Sequence, residues 1–442
     1  MTDIPFGFSL PGGGVPDPNN PQQMAQFIAQ LQRLFTAPGS GPVNWELAQQ
    51  IAVTQVRGDD PATTGRDQDA VADALRLADL WLEPVTGLPS GIRTTVAWTR
   101  QEWVKFTLPV WQKLCDPVAG HMVDAMTSLV PEQLRGQLGP MTSMMSTVGG
   151  ALFGGQLGQA LASLAGEVLA SSDIGLPLGP SATAALLPAN VRAYSQGLEI
   201  DEEEVRLYVA LREAAHQRLF EHVPWLKSHI LAAVETYAGG IKVNQAVVED
   251  LFGKLDPMRP ETMQELNIEG VFAPEDTPAQ KAALARLETI LALVEGWVTH
   301  VVDQAVANRL PNAVRLAEAF RRRRAAGGPA EETFATLVGL ELRPRRLREA
   351  AAVWQALSEV RGVEGRDALW EHPDLLPSSD DFADPHGFAH SAGSGLEGLD
   401  FSVLKMNDEP EEGTSGHSGS PENNSGSGEG DDPETRDKGT EG

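Results

Sequence analysis

Hydrophobic residues between about positions 20 and 370 recur mostly every three or four positions, whereas runs that alternate apolar and polar residues are scarce. Residues 21–35 and 67–82 show this spacing most clearly, because their apolar side chains return on one face of a helix. A short apolar run at 184–187, directly before Pro188, is a candidate strand. The pattern predicts a mainly α domain with at most a small sheet.

One uncharged stretch, residues 141–166, has to be weighed as a membrane segment. Gly150, Gly154 and Gly158 are spaced four apart, which lets helices approach closely and also occurs on transmembrane dimer faces. However, the stretch is rich in serine, threonine, glutamine and glycine, so its hydropathy is weak for a bilayer span of about 20 residues. We expect a buried, tightly packed helix or hairpin and no membrane span.

Helix start and stop signals frame residues 202–223. Asp201 suits the N-cap position, and Glu204 three residues later completes a capping-box pattern. Pro224 disfavours helical geometry in the residue before it, so the helix should end near His222. The proline itself suits the first turn of a following helix. The sequence therefore predicts two consecutive helices that meet at this proline.

At about 100° per residue, roughly one third of the circumference of the first of these helices is expected to be buried. That face carries Val205, Val209, Arg212, His216, Leu219 and Phe220. The opposite, solvent-facing arc is expected to hold Glu203, Arg206, Ala210, Gln217 and Glu221. Because Arg212 lies on the apolar face, it needs an anionic partner, since an unpaired buried charge is costly.

Arg212, Glu213 and His216 stand in the register of the helical zinc motif H-E-x-x-H, in which two histidines bind the metal and the glutamate activates water. Arginine occupies the first histidine position, where it cannot bind a metal because it stays protonated and carries only donors. A later apolar helix, residues 277–310, carries Glu295 at the edge of its stripe. We expect Glu295 to approach His216 and to pair with Arg212. The alternative is an ordinary core helix beside a hydrogen-bonded histidine.

Composition and charge indicate which cellular compartment and which partners suit the protein. The chain has 442 residues and one cysteine, Cys115, which excludes an internal disulfide and suits a reduced cytoplasm. The N-terminus lacks a basic region followed by an apolar one, so no signal peptide is predicted. The net charge of −27 repels nucleic acid in bulk. Nine arginines from Arg315 to Arg348 would favour nucleic acid, but a solvated helix end explains them, so no nucleic-acid partner is expected.

Acidic residues concentrate at the C-terminus. From Glu371 onward, 18 Asp and Glu stand against three Lys and Arg. The last 36 positions hold no large apolar side chain, so burial cannot offset their ordering entropy. The predicted organisation is a flexible N-terminus at 1–20, one helical domain at 21–371, a capping strap and linker at 372–406 and a disordered acidic tail at 407–442. The strap is expected to dock through Trp370, Leu375 and Leu376.

Several segments resemble an actinobacterial zincin-like family, whose members are labelled hydrolases or zinc-dependent metalloproteases and which has a branch associated with deazaflavin coenzyme biosynthesis. The segments are "LYVALREAAHQRLFEHVPWL", "LVEGWVTHVVD" and "RDALWEHPDLLP". The resemblance implies a mostly helical metallopeptidase-like fold. It also implies that Glu213 is the general base, His216 a zinc ligand and Glu295 a third ligand. Arg212 departs from the family pattern at the first histidine.

Two functions of different classes follow from these observations. The first is a zinc-dependent, peptidase-like hydrolase that acts on a peptide or protein with Glu213 as its base. The second is a non-catalytic zincin-like pseudoenzyme that serves as a binding or scaffold protein. Catalytic zinc sites usually have three protein ligands, whereas His216 and Glu295 make two. The family labels favour the hydrolase, and Arg212 favours the non-catalytic alternative.

Overall fold

The computed structural model of the chain describes residues 41–128, 139–239, 241–243, 272–274, 277–325 and 346–391. Eleven α-helices lie within these residues, so the predicted mainly α fold is confirmed. In chain order they are α1 Trp45–Val56, α2 Gly65–Leu82, α3 Arg100–Ser128, α4 Gly139–Glu167, α5 Pro188–Leu198, α6 Glu202–His222, α7 Pro224–Ala238, α8 Pro278–Val306, α9 Ala313–Ala325, α10 Leu347–Asp367 and α11 Pro385–Ser391. All of them belong to the compact unit that spans residues 1–393.

Four short strands form two small sheets among the described residues. They are β1 Thr94–Ala97, β2 Thr183–Leu186, β3 Ile241–Val243 and β4 Phe272–Pro274. Strands β1 and β2 are parallel, with Thr94 opposite Thr183 and Ala97 opposite Leu186, whereas β3 and β4 are antiparallel. Strand β2 begins one residue before the predicted run at 184–187. The expected small amount of sheet is therefore confirmed.

Three earlier predictions concern segments outside the described residues. They are the helix at 21–35, the flexible N-terminus at 1–20 and the acidic tail at 407–442. The start of the predicted strap lies within the described residues. Trp370 is buried and stacks on Trp354 with ring centroids 5.2 Å apart, while Leu375 and Leu376 pack half-buried against the core. The domain boundaries at 371 and 406 stay predictions.

The uncharged stretch forms most of α4, and its glycines leave room for the backbone at the start of α1 to pack closely. A Cβ atom on Gly154 would lie 2.5 Å from the carbonyl oxygen of Asn44, and one on Gly158 would lie 2.6 Å from that of Ala48. The Asn44 amide also donates to the carbonyl of Gly150 at 3.0 Å. In the described part of the chain, no helix is both long enough and apolar enough to cross a bilayer. The small residues therefore permit close packing of α1 on α4.

Replacing Gly154 with alanine is expected to lower the free energy of unfolding by about 1–3 kcal/mol, the usual cost of forcing extra atoms into a packed contact. The matched control is Gly155→Ala on the same helix, where the new Cβ would meet only the Ile51 Cδ1 atom at 4.0 Å. That change should be neutral or slightly stabilising, because alanine favours helix. Denaturant unfolding of the two variants measures the difference, and equal stabilities would refute the close-packing interpretation.

Helices α6 and α8 lie at the centre of the fold. Helix α6 contacts α2, α5, α7, α8 and β2, and α8 contacts α7 and α10. Large aromatic side chains fill the surrounding core, since Trp103, Trp111, Trp297, Trp354 and Trp370 are all almost fully buried. The motif helix and the helix that carries Glu295 are therefore held by rigid packing on several sides.

Candidate buried ionic site

Local signals set the ends of α6 as predicted, with one exception. The Asp201 side chain accepts a hydrogen bond from the Glu203 amide at 2.8 Å, α6 ends at His222, and α7 begins at Pro224. Glu204 does not complete the expected capping box. Its carboxylate instead accepts hydrogen bonds from the backbone and side-chain nitrogens of Asn312, directly before α9. This contact ties the start of α9 to the start of α6.

Helix α6 is buried on all sides along its middle, which differs from the predicted single buried face. Every residue from 208 to 219 is buried, including Ala210 and Gln217, which were expected to face solvent. Alanine is small enough for a helix to pack on it, and the Gln217 side chain donates to Glu213 at 3.0 Å. A backbone segment also crosses α6, because a Cβ on Gly91 would lie 2.2 Å from the Gln217 carbonyl. Hydrophobic spacing shows none of these contacts.

Glu295 is the centre of the site, and nitrogen atoms of three side chains lie within 3 Å of its carboxylate. An Arg212 guanidinium nitrogen lies 2.6 Å from Oε2, the His216 Nε2 atom lies 2.9 Å from Oε1, and an Arg324 nitrogen lies 2.8 Å from Oε1. The Glu295 side chain is only 1% exposed. The predicted approach of Glu295 to His216 and its pairing with Arg212 are thus both present. Arg324 was not predicted.

A tight turn after α4 closes the site over Glu295. Gly175 has a positive φ of 79°, a conformation that glycine adopts without strain. A Cβ at this position would lie 2.7 Å from the Glu295 Oε1 atom. The Gly175 backbone therefore lies directly against the carboxylate and helps to exclude solvent from it.

Opposing effects act on the pKa of the Glu295 carboxyl. Burial raises this pKa, whereas the adjacent Arg324, His216 and Arg212 side chains lower it, and the net result lies well below the ordinary value. Glu295 is therefore a carboxylate that only accepts hydrogen bonds. Because it accepts from the Nε2 atom of His216, that nitrogen carries the proton in this contact. Phe220 stacks on the other side of the imidazole, with ring centroids 5.7 Å apart.

Glu213, the predicted general base, is held by donors from the turn after α4. Both serine hydroxyls, Ser171 and Ser172, donate to its carboxylate, and the Ser172 amide donates at 3.1 Å. Gln217 supplies a further donor, and the Glu213 residue is only 1% exposed. In this arrangement the carboxylate acts as the acceptor that anchors the turn at residues 171–175 to α6.

Two arginines of α9 enter the site, which corrects their interpretation as a solvated helix end. Arg323 lies 2.7 Å from the carboxylate of Asp173, and Arg324 donates to the Asp173 carbonyl as well as reaching Glu295. The Arg323 and Arg324 side chains are 25% and 16% exposed, whereas that of their neighbour Arg322 is 78% exposed. A sequence signal for Arg324 exists, because it continues the stripe of apolar residues at Leu316, Ala317 and Phe320.

Ion pairs link Arg212 and two arginines of α9 to two buried carboxylates. The three guanidinium groups of Arg212, Arg323 and Arg324 contact the carboxylates of Asp173 and Glu295. The pKa of the Asp173 carboxyl is raised by burial but lowered more strongly by Arg323 and Arg324, and it ends below its ordinary value. The five groups therefore form a largely buried network in which each carboxylate already has guanidinium partners.

The arrangement of donors and acceptors does not fit a zinc ion. Glu295 Oε2 accepts from Arg212, Oε1 forms an ion pair with Arg324, and the His216 nitrogen that would face the metal carries a proton. Within the described ranges, no three His, Cys, Asp or Glu side chains are grouped as metal ligands. The roles of His216 and Glu295 as ligands, and of Glu213 as base, stay predictions.

The fold and this site define a helical protein of the zincin-like class in which an R-E-x-x-H helix meets a glutamate from a later helix. Residues 43–389 match the zincin-like metallopeptidase family, and the chain belongs to that family. A crystal structure from Chloroflexus aurantiacus, described as a "putative hydrolase with a novel fold", is similar with a TM-score of 0.55 and 21% identity. The similarity covers 79% of this chain and 98% of that one. No curated protein matches the chain.

Proposed function

We propose that this chain is a non-catalytic member of the zincin-like metallopeptidase family that acts as a binding or scaffold protein for a peptide or protein partner. The observation that carries the proposal is the state of Glu295, whose two oxygens are each paired with an arginine side chain, Oε2 with Arg212 and Oε1 with Arg324. Arg212 then takes the position of the first histidine ligand and supplies positive charge from within the chain. The family's metal would have no free carboxylate to bind.

Charge balance supports the same proposal. The cluster around Glu295 and Asp173 already holds three guanidinium groups against two carboxylates, so a divalent cation would add two further positive charges without a partner. Uncompensated charge in a buried site is costly, and the cost falls when a group leaves or changes its protonation state. Zinc could therefore enter only if arginine side chains left the cluster. The internal cations make the cluster stable on its own.

A zinc-dependent hydrolase is the second candidate, and the match to the family at the motif favours it. Glu213 and His216 hold two of the three H-E-x-x-H positions, and Glu295 lies within 2.9 Å of His216. Zinc, where bound, would lower the pKa of a water molecule and polarise a carbonyl group. For this function Glu213 would have to leave the serine hydroxyls, and Glu295 would have to leave Arg212 and Arg324.

The zinc content of the wild-type protein tests the proposal. Protein purified without added metal, then incubated with equimolar zinc and passed through a desalting column, is expected to retain substoichiometric zinc. The His216→Ala variant should retain the same small amount, because that zinc would be adventitious. Near-stoichiometric zinc that is lost in His216→Ala, together with peptide hydrolysis lost in the same variant, would overturn the proposal and establish the hydrolase.

A further inference from the structure

Helix α9 packs against the Glu295 site through both apolar and charged side chains. Its inner face, formed by Leu316, Ala317 and Phe320, is buried, and its start is tied to α6 through Asn312 and Glu204. The last turn of the helix places Arg324 against Glu295. One helix therefore carries both an apolar anchor and a charged end that reaches the buried carboxylate.

Phe320 connects the apolar face of α9 to Arg212. The Arg212 guanidinium carbon lies 5.3 Å from the centre of the Phe320 ring, within the range of a cation–π contact. The same ring packs against Tyr194 and Tyr208, with centroids 5.4 Å and 5.2 Å away. Helix α9 thus contacts Arg212 through its aromatic residue and Glu295 through its final arginine.

We propose that α9 is a plug in which Arg324, together with Arg212, replaces the charge of a divalent metal, and that both arginines must leave before His216 and Glu295 can hold such an ion. This inference rests on the proposed non-catalytic function. Two guanidinium groups carry the same total charge as one zinc ion, so exchanging the pair for the ion leaves the total charge of the site unchanged. Replacing Arg212 alone would leave Arg324 bound 2.8 Å from Glu295 Oε1.

The two arginines are not held equally firmly. The Arg324 side chain is 16% exposed, whereas that of Arg212 is only 6% exposed. Arg324 sits near the C-terminal end of its helix, whereas Arg212 lies in the middle of α6. Of the two cations, Arg324 is the one whose removal disturbs the core less.

Zinc binding by designed variants tests the plug. Arg212→His restores the H-E-x-x-H spacing, and Arg324→Met in addition removes the second charge while keeping an unbranched apolar side chain. We expect the double variant to bind one zinc per chain at least about tenfold more tightly than Arg212→His alone, the scale on which groups around a metal site act. The matched control adds Arg322→Met to Arg212→His, because Arg322 is exposed on the same helix. This control should bind zinc no better than Arg212→His.

Affinity is measured by competition with a chromophoric chelator, and thermal unfolding with and without zinc provides a second readout. In the double variant without metal, Glu295 has neither of its arginine partners, so zinc should raise the melting temperature of this variant far more than that of the control. If the double variant does not fold without metal, refolding in the presence of zinc and recovery of the helical circular dichroism signal test the same point. Equal zinc affinity in Arg212→His and the double variant, or no zinc binding by either, would overturn the plug. Zinc binding by the wild-type protein would instead overturn the proposed function.

Discussion

Replacing Arg212 with leucine is expected to lower the free energy of unfolding by about 3–5 kcal/mol, as for other buried ion pairs that lose one partner. The arginine donates to Glu295 at 2.6 Å, and both side chains are almost fully buried. Leucine would fill part of the space but would leave a carboxylate oxygen without its guanidinium partner in a site that excludes water. Because protein stabilities are typically about 5–15 kcal/mol, this loss would be large.

The matched control for Arg212→Leu is Arg206→Leu on the same helix. Arg206 pairs with Glu202 at 3.1 Å, one turn away near the start of α6, where the carboxylate is partly exposed. Arg206→Leu is expected to lower the free energy of unfolding by about 0.5 kcal/mol, the usual value for such helical pairs. Denaturant unfolding compares the two variants, and similar stabilities would show that Glu295 does not depend on Arg212.

A double-mutant cycle separates the pair from its surroundings. Arg212→Leu, Glu295→Gln and the combined variant are unfolded under the same conditions. We expect the combined loss to be smaller than the sum of the single losses by more than about 1 kcal/mol, because residues in one ion-pair network couple by about 0.5–3 kcal/mol. Additive losses would mean that the two side chains stabilise the fold independently, and the charge-replacement argument would fail.

Replacing Glu213 with alanine is expected to destabilise the protein by about 2–4 kcal/mol, since each buried donor left without an acceptor costs about 1–3 kcal/mol. The donors are the Ser171 and Ser172 hydroxyls, the Ser172 amide and the Gln217 side chain. Some of them would find new partners or water, which keeps the loss below the full sum. A carboxylate kept only as a general base would show no such effect, because its removal leaves the fold intact.

Glu221 offers a matched control on the same helix. Its carboxylate also accepts from a serine hydroxyl, that of Ser181 at 2.7 Å, and from the Ala182 amide at 2.9 Å, but at a partly exposed position. Glu221→Ala should cost about 1 kcal/mol or less, because water can replace the lost acceptor. Urea unfolding measures both variants. A Glu213→Ala protein as stable as wild type would contradict the anchoring role and favour the catalytic one.

Much of the motif helix follows from local physics, and so was predictable from the sequence. Asp201 provides a side-chain acceptor for the first turn, and Pro224 restricts the residue before it, so both ends of α6 appear where predicted. The pairing of Arg212 with Glu295 also followed from a simple rule. A buried arginine requires an anion, and Glu295 lay on the apolar stripe of a long helix.

Other parts of the site were decided by tertiary packing alone. The donors to Glu213 come from Ser171 and Ser172, about 40 positions earlier in the chain, in a segment without a recognisable motif. Ala210 and Gln217 are buried because helices and a backbone segment surround α6, a fact that hydrophobic spacing along one helix does not carry. Contacts between distant segments depend on how whole elements pack.

The sequence by itself determined a mainly α chain, the register of R-E-x-x-H on one helix and the need of Arg212 for a carboxylate, because helical spacing, capping and charge pairing act locally or by necessity. Only the tertiary structure decided that Arg324 shares this carboxylate and that the turn at Gly175 closes over it. The apolar stripe of α9 marks Arg324 among four successive arginines as facing inward, but only the packing of α9 brings it to Glu295 and leaves Arg322 in solvent. The direction of each side chain depends on which face of the helix the rest of the fold covers.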